Sequence, residues 1–257
     1  MRILLLNPNT SASITALLDA AARPAISQGT TLVSMTAACG VPYIASRAEA
    51  AIAAVQVLDL LAEHHTSFDA AIIAAFADPG LGPARELFPI PVIGLAEAGM
   101  LSACMLGGRF GIVTFTPALE AWYHECIAWH RLEARCAGVF ALDEGFSDIA
   151  TVQADKGDAL VQLAGRAIAA GADTIVLAGA PLSGLAARVR GRIPVPVIDC
   201  AVAAVKQAEA LIALDTRPPV AGSFRRPPPK PVKGMGGPLA DWISEGRSEG
   251  PGRTREP

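Results

Sequence analysis

The side chains of this 257-residue chain that can move a proton near neutral pH are few: five cysteines, four histidines and some well-placed carboxylates. The cysteines (Cys39, Cys104, Cys126, Cys136, Cys200) are odd in number and show no metal-ligand spacing, so reduced, mostly buried thiols in a cytoplasmic protein, holding no metal, are expected. Three groups lie where loops follow strands and can act as acids or bases: Cys39 in Ala37–Tyr43, Asp78 before Pro79-Gly80, and Glu97 at the start of a helix. Each also has a structural reading, as a buried small hydrophobe, a turn former and a carboxylate on a helix N-terminus respectively. Asp199 reads as a helix N-cap. His124 and His130 share a helix with Trp122, Tyr123 and Trp129 and read as packing or interface residues, while His64 and His65 end another helix. The polar run Asn7-Pro8-Asn9-Thr10-Ser11 stands at a strand-to-helix turn, where side-chain and backbone donors can hold an anion or a carbonyl. Thr114 and Thr116 repeat that arrangement further along.

These groups need strand ends to hold them, and the pattern supplies strands. Apolar runs at Arg2–Leu6, Thr30–Met35, Ala70–Ala75, Pro91–Leu95, Arg109–Phe115, Thr174–Ala178 and Val195–Ile198 read as strands. Helical patterns cover Ser11–Ala22, Arg47–His64, Glu97–Met105, Pro117–Arg131, Val152–Ala170 and Ala201–Leu214. Such alternation implies βαβ units and parallel sheets.

An internal repeat organises them. Asp69–Ala75 lies on Asp173–Gly179, Pro89–Ile93 on Pro194–Ile198, and Arg2–Asn7 on Arg109–Thr114. Three elements in the same order predict an α/β fold of two pseudo-symmetric lobes, each a parallel sheet flanked by helices. The active-site cleft then lies between them, because ligands bind beyond the carboxyl ends of parallel strands. The expected division is residues 1–96 plus 198–214, residues 97–197, and a Pro/Gly-rich tail over 215–257. In that tail Leu239–Ile243 docks on the body and the last dozen residues are disordered. The repeat pairs Asn7 with Thr114 and position 75 with position 179.

The run Ile3–Ser11, the turn Phe76–Leu81, Val92–Ala98, Gly107–Thr114, Ile175–Leu177 with Ser183-Gly184-Leu185, and Pro194–Asp199 together resemble the Asp/Glu/hydantoin racemase family, most closely its hydantoin and allantoin racemase branch. The resemblance covers about Met1 to Leu214. It implies a cofactor-independent isomerase acting on a small hydantoin-like or amino-acid-derived carbonyl compound, with one cysteine from each lobe flanking the stereocentre. Carried onto this chain, those cysteines fall on Ala75 and Gly179, and neither residue can move a proton. Cys39, Asp78 and Glu97 are the candidate substitutes. The implied substrate-binding set is Asn7, Asn9, Thr10, Ser11, Pro42, Tyr43, Phe76, Thr114, Thr116 and Ala180. A lyase, decarboxylase or cyclase on the same scaffold, or a non-catalytic small-molecule binder, are the alternatives.

Composition agrees with a globular α/β protein. Hydrophobic residues make up 52% of the chain but aromatics only 5%, which suits doubly covered parallel sheets. A net charge of −3 argues against a nucleic-acid partner. No uncharged run reaches the length of a membrane span. The expected partners are a small-molecule substrate and, in a homo-oligomer, further copies of the chain.

Overall fold

The computed structural model describes residues 1–143, 152–215 and 218–245; the terminal stretch expected to be disordered lies outside them. Among the described residues eight strands form two separate four-stranded sheets. The first holds β1 (Arg2–Asn7), β2 (Thr31–Thr36), β3 (Ala70–Ile73) and β4 (Val92–Gly94) in the order β2-β1-β3-β4. The second holds β5 (Phe110–Thr114), β6 (Cys136–Ala141), β7 (Thr174–Leu177) and β8 (Val197–Asp199) in the order β6-β5-β7-β8. Every pairing is parallel.

The repeat read from the sequence recurs in individual hydrogen bonds. Asp69 N–H donates to Arg2 O at 2.8 Å and Asp173 N–H to Arg109 O at 2.8 Å. Arg2 N–H donates to Asp69 Oδ2 at 2.7 Å, and Arg109 N–H to Asp173 Oδ2 at 2.9 Å. At the other end Ala74 N–H reaches Leu6 O at 2.8 Å and Ala178 N–H reaches Val113 O at 2.9 Å. The register thus carries Asn7 and Thr114, and the residues after β3 and β7, to equivalent ends of their sheets.

Nine α-helices complete the described residues: α1 (Ala12–Ala22), α2 (Arg47–His64), α3 (Leu81–Leu87), α4 (Leu95–Cys104), α5 (Glu120–Trp129), α6 (Val152–Ala169), α7 (Leu185–Val189), α8 (Cys200–Ala213) and α9 (Pro238–Glu245). Their starts follow local chemistry. Ser46 Oγ accepts from Glu49 N–H at 3.2 Å while Glu49 Oε2 accepts from Ala45 N–H at 2.7 Å, a reciprocal cap on α2. Asp199 caps α8 through Ala201 N–H at 3.0 Å, as the sequence suggested. Helix α8 leaves the second sheet and packs on α1, α4, β3 and β4. Among the described residues no helix is long and apolar enough to cross a membrane.

Four elements are absent from the sequence reading. Strand β6 is a half-buried edge strand broken by Gly138 at φ +147°, so it lacks the continuous apolar run of the inner strands. Helices α3 and α7 are too short to show a period. Helix α9 holds Trp242, whose ring stacks on Phe88 at 5.8 Å and lies 4.4 Å from the His65 ring, with Nε1–H donating to Leu87 O at 3.1 Å. Arg226 covers the other side of the indole at 3.8 Å.

Burial, helped by the nearby Arg226 charge, pulls the His65 pKa below its ordinary value of 6.5 despite hydrogen bonds to the Leu61 and Ala62 carbonyls. A group with a depressed folded-state pKa stabilises above its free pKa and loses that stabilisation as the pH falls, so α9 should loosen as the medium drops from about pH 7 to about pH 5. Limited proteolysis of the tail over that range checks this; unchanged cleavage rates would refute it.

Candidate functional site

Positions 75 and 179 face one cavity between the two sheets. Its wall consists of Asn9, Ile14, Tyr43, Ile44, Ala75, Phe76, Phe115, Leu119, Trp122, Tyr123, Gly179, Ala180 and Pro181. The cavity measures about 30 Å³, room for a water or two and not for a ring compound. A ring compound would fit only in a wider form of this cavity. Arg47 at the start of α2 makes a bidentate ion pair with Glu125 on α5, Nε donating at 3.0 and 2.9 Å, and ties the two helices together.

The sharp turns after β3 and β7 shape the lining. Asp78 N–H donates to Ala75 O at 3.2 Å, and Leu182 N–H donates to Gly179 O at 2.9 Å. Both carbonyls are thereby spent. The N–H groups of Phe76 and Ala180, next to the two positions, donate to no other group among the described residues. Buried N–H groups left without a partner in the chain are poised for a ligand oxygen.

Ala77 and Asp78 are left-handed at φ +76° and +53°, unusual for residues with a Cβ. The strain is held by Asp78, whose Oδ1 accepts from Ala96 N–H at 2.7 Å and whose Oδ2 accepts from Glu97 N–H at 2.8 Å.

Gly179 has φ +108°, and a Cβ there would stand 2.6 Å from Phe115 Cε1 and 3.5 Å from the Tyr123 hydroxyl. An aromatic ring thus occupies the space that a side chain at 179 would need. Tyr123, fully buried on α5, packs against Phe76 with centroids 4.5 Å apart and rings tilted by 51°, and hydrogen-bonds with Thr114, whose own hydroxyl donates to Ala178 O at 3.1 Å. Burial pushes the Tyr123 phenol well above its ordinary value, and burial beside Glu49 also raises that of Tyr43. Both stay protonated at neutral pH.

Of the residues expected to bind substrate, Asn9, Tyr43, Phe76 and Ala180 line the cavity. Asn7 stands behind Asn9: its Nδ2 donates to Asn9 Oδ1 at 2.9 Å and to Thr15 Oγ1 at 2.9 Å. Ser11 N–H takes the same Asn9 oxygen at 2.9 Å and the Asn9 backbone N–H donates to Asn7 Oδ1 at 3.2 Å, which leaves the Asn9 Nδ2–H groups to meet a ligand. Thr114 stands behind Tyr123. Thr10, Ser11, Pro42 and Thr116 are not in the lining.

None of the three candidate substitutes reaches the cavity. Cys39 is exposed instead of being a buried small hydrophobe, because its loop bends outward past Ala37. Asp78 is turned away from it, capping α4, and Glu97 is bound by Arg85, which donates from Nη1 at 2.9 Å and also from Nη2. His130 is no mere packing residue: its Nε2 lies 3.3 Å from Asp78 Oδ2. Sequence reasoning missed Tyr123 and Trp122 as lining, because their helix reads as an ordinary amphipathic one. The available signal was an aromatic pair on the helix that follows Thr114.

The model of a family described as Asp/Glu/Hydantoin racemase matches residues 3–208. A hydantoin racemase of Paenarthrobacter aurescens is 31% identical over 233 residues, spanning 90% of this chain and 99% of that one. A hydantoin racemase of Rhizobium meliloti is 34% identical over 82% of this chain and 89% of its own. Among solved structures, an allantoin racemase from Klebsiella pneumoniae superposes with a TM-score of 0.84 at 35% identity, covering 93% of this chain and 98% of that one. Arylmalonate decarboxylase shares the fold at a TM-score of 0.58 and 18% identity, over 82% of this chain and 92% of its own.

Proposed function

The chain belongs to the Asp/Glu/hydantoin racemase family, and from that premise we propose that it acts without a cofactor on a small carbonyl compound, hydantoin-like or amino-acid-derived, by stabilising its enolate-like form. Proton transfer then takes place from one face only, through Tyr123. One observation carries this reading: the cavity wall offers N–H donors from both lobes and two protonated phenols, of which Tyr123 is the one beside Gly179, but among the described residues no cysteine, histidine, lysine or carboxylate.

The Phe76 and Ala180 N–H groups and the Asn9 Nδ2–H groups suit a carbonyl oxygen that gains charge. Two-sided inversion needs a base on one face and an acid on the other. Ala75 supplies nothing on its side. A phenol held protonated gives a proton more readily than it takes one.

A second reading follows from that asymmetry. If the enolate forms by loss of carbon dioxide, no base is needed. The C–C bond breaks, its electron pair stays on the α-carbon, and the Tyr123 O–H proton is delivered there, with water restoring the phenol. The apolar wall of Phe76, Phe115, Leu119 and Trp122 favours expulsion of a carboxylate.

One experiment in D₂O covers both. L-5-substituted hydantoins and α-carboxylated carbonyl compounds are offered to the protein, following α-deuteration, optical rotation and carbon dioxide. No racemisation is expected from the first class, whose α-proton no group of the wall removes, and carbon dioxide with optically active product, deuterated on one face, from the second. Rapid racemisation, or absence of turnover with every compound, would overturn the proposal.

A further inference from the structure

Behind Trp122, on the opposite side from the reaction cavity, Asp78 of the β3–α3 turn meets Cys126 of α5 and His130, the residue that caps that helix. His130 N–H still donates to Cys126 O at 3.1 Å, which keeps the two residues, four apart, on one face. One ligand atom from each of the three residues lies within 4.8 Å of the others. We infer that Asp78, Cys126 and His130 form a divalent metal site, suited to zinc, that clamps α5 of the second lobe onto the first.

The donor set fits the ion. Zinc takes cysteine sulfur, histidine nitrogen and carboxylate oxygen in tetrahedral sites, and bond lengths of about 2.0–2.3 Å put ligand atoms about 3.3–3.8 Å apart. His130 Nε2 and Asp78 Oδ2 already stand 3.3 Å apart, the spacing of two ligands, and closure around a metal draws in the Cys126 sulfur, which lies within 4.8 Å of both. The outer layer fits as well. A ligating histidine ordinarily gives its other ring N–H to a carboxylate. Here His130 Nδ1 lies 3.6 Å from Glu97 Oε1, and Glu97 is gripped by Arg85.

Charge points the same way. His130 and Asp78 side chains are 6% and 2% exposed, so an unbalanced charge here is costly. Without a cation, Glu97 has the Arg85 guanidinium, while among the described residues Asp78 has only the His130 ring and the Ala96 and Glu97 N–H groups. A dication with the Cys126 thiolate, both carboxylates and Arg85 makes the cluster neutral. Burial, with Asp78 and Glu97 nearby, pushes the Cys126 thiol far up, so metal must displace its proton. An entry path exists, because Asp78 and Cys126 line a surface cavity of about 310 Å³ beside Trp122 and Trp129, which also has room for water as fourth ligand.

The test uses the full-length, tag-free protein after chelator dialysis, titrated with Zn²⁺ and, for spectroscopy, Co²⁺. One equivalent should bind, with a thiolate-to-cobalt charge-transfer band and the intense visible bands of tetrahedral cobalt. Affinity should rise with pH as the thiol proton is displaced. Cys126→Ser should abolish the charge-transfer band, and Glu97→Gln should weaken binding about 10- to 100-fold. Cys39→Ser should change nothing. An octahedral cobalt spectrum in the unaltered protein, no binding at micromolar metal, or binding indifferent to Cys126→Ser would each overturn the site. The unaltered protein's spectrum decides the matter even if a variant folds poorly. Because this readout is independent of turnover, it stands or falls apart from the proposed reaction.

Discussion

Gly179→Cys is expected to cost about 3 kcal/mol, lowering the melting temperature by roughly 6–12 °C, whereas Ala75→Cys should leave stability nearly unchanged. The two positions are equivalent in the repeat but not in their surroundings. A side chain at 179 must sit at φ +108° with its Cβ 2.6 Å from the Phe115 ring. Ala75 already carries a Cβ, is 7% exposed and lines the cavity, so an added sulfur has somewhere to go. Adding Phe115→Ala to Gly179→Cys should return part of the loss by removing the clash, though not the backbone strain. Thermal melts of the three variants check the ordering. The same geometry bears on regaining cysteine chemistry: Ala75→Cys with Gly179→Cys should not racemise hydantoins unless Phe115 is also made smaller. Equal melting temperatures for the two single variants would mean that Phe115 yields freely and the argument fails.

Tyr123→Phe should reduce turnover about 10²- to 10⁴-fold, the usual worth of a general acid. Binding should weaken far less, because the ring still fills its place beside Phe76. Thr114→Val should produce a smaller loss in kcat, since Thr114 holds the phenol and does not face the substrate. Burial raises this phenol, so the rate should stay level from neutral pH to beyond the ordinary tyrosine range of about 10. A rate that falls between about pH 8 and 9 would point to a thiol instead, against the cavity lining described here. Kinetics of the two variants over that range settle which group delivers the proton.

The architecture was legible because its causes are local and periodic. Val, Ile and Leu runs such as Leu4–Leu6 and Ile175–Leu177 must be inner strands, and their recurrence in order requires two similar sheets. Strand β6 escaped because Cys136-Ala137-Gly138 is small and interrupted, as suits an edge. The two central positions of the site were legible for the same reason, since the repeat pairs 75 with 179. What fills the space between them was not. That Phe115 takes the place of a side chain at 179, or that Tyr123 turns its hydroxyl inward, depends on how α5 packs across the lobes. The role of His130 depends on a contact with Asp78, 52 residues away. Spacing along the chain carries no trace of such a meeting.

Helix α8 has a consequence for how the protein is made. The strands of the first sheet are synthesised early, yet part of their cover on β3 and β4 comes from residues 200–213. Until that helix leaves the ribosome, an apolar face stays open for most of translation. Domains generally fold as they emerge, at about 5–20 residues per second, so the nascent first lobe waits on the order of ten seconds for its closing piece. The second sheet, made within that interval, can assemble first and offer α4 as a ready seat for α8. Truncation before residue 200 should therefore yield a chain that binds chaperones, even though it contains every strand of both sheets.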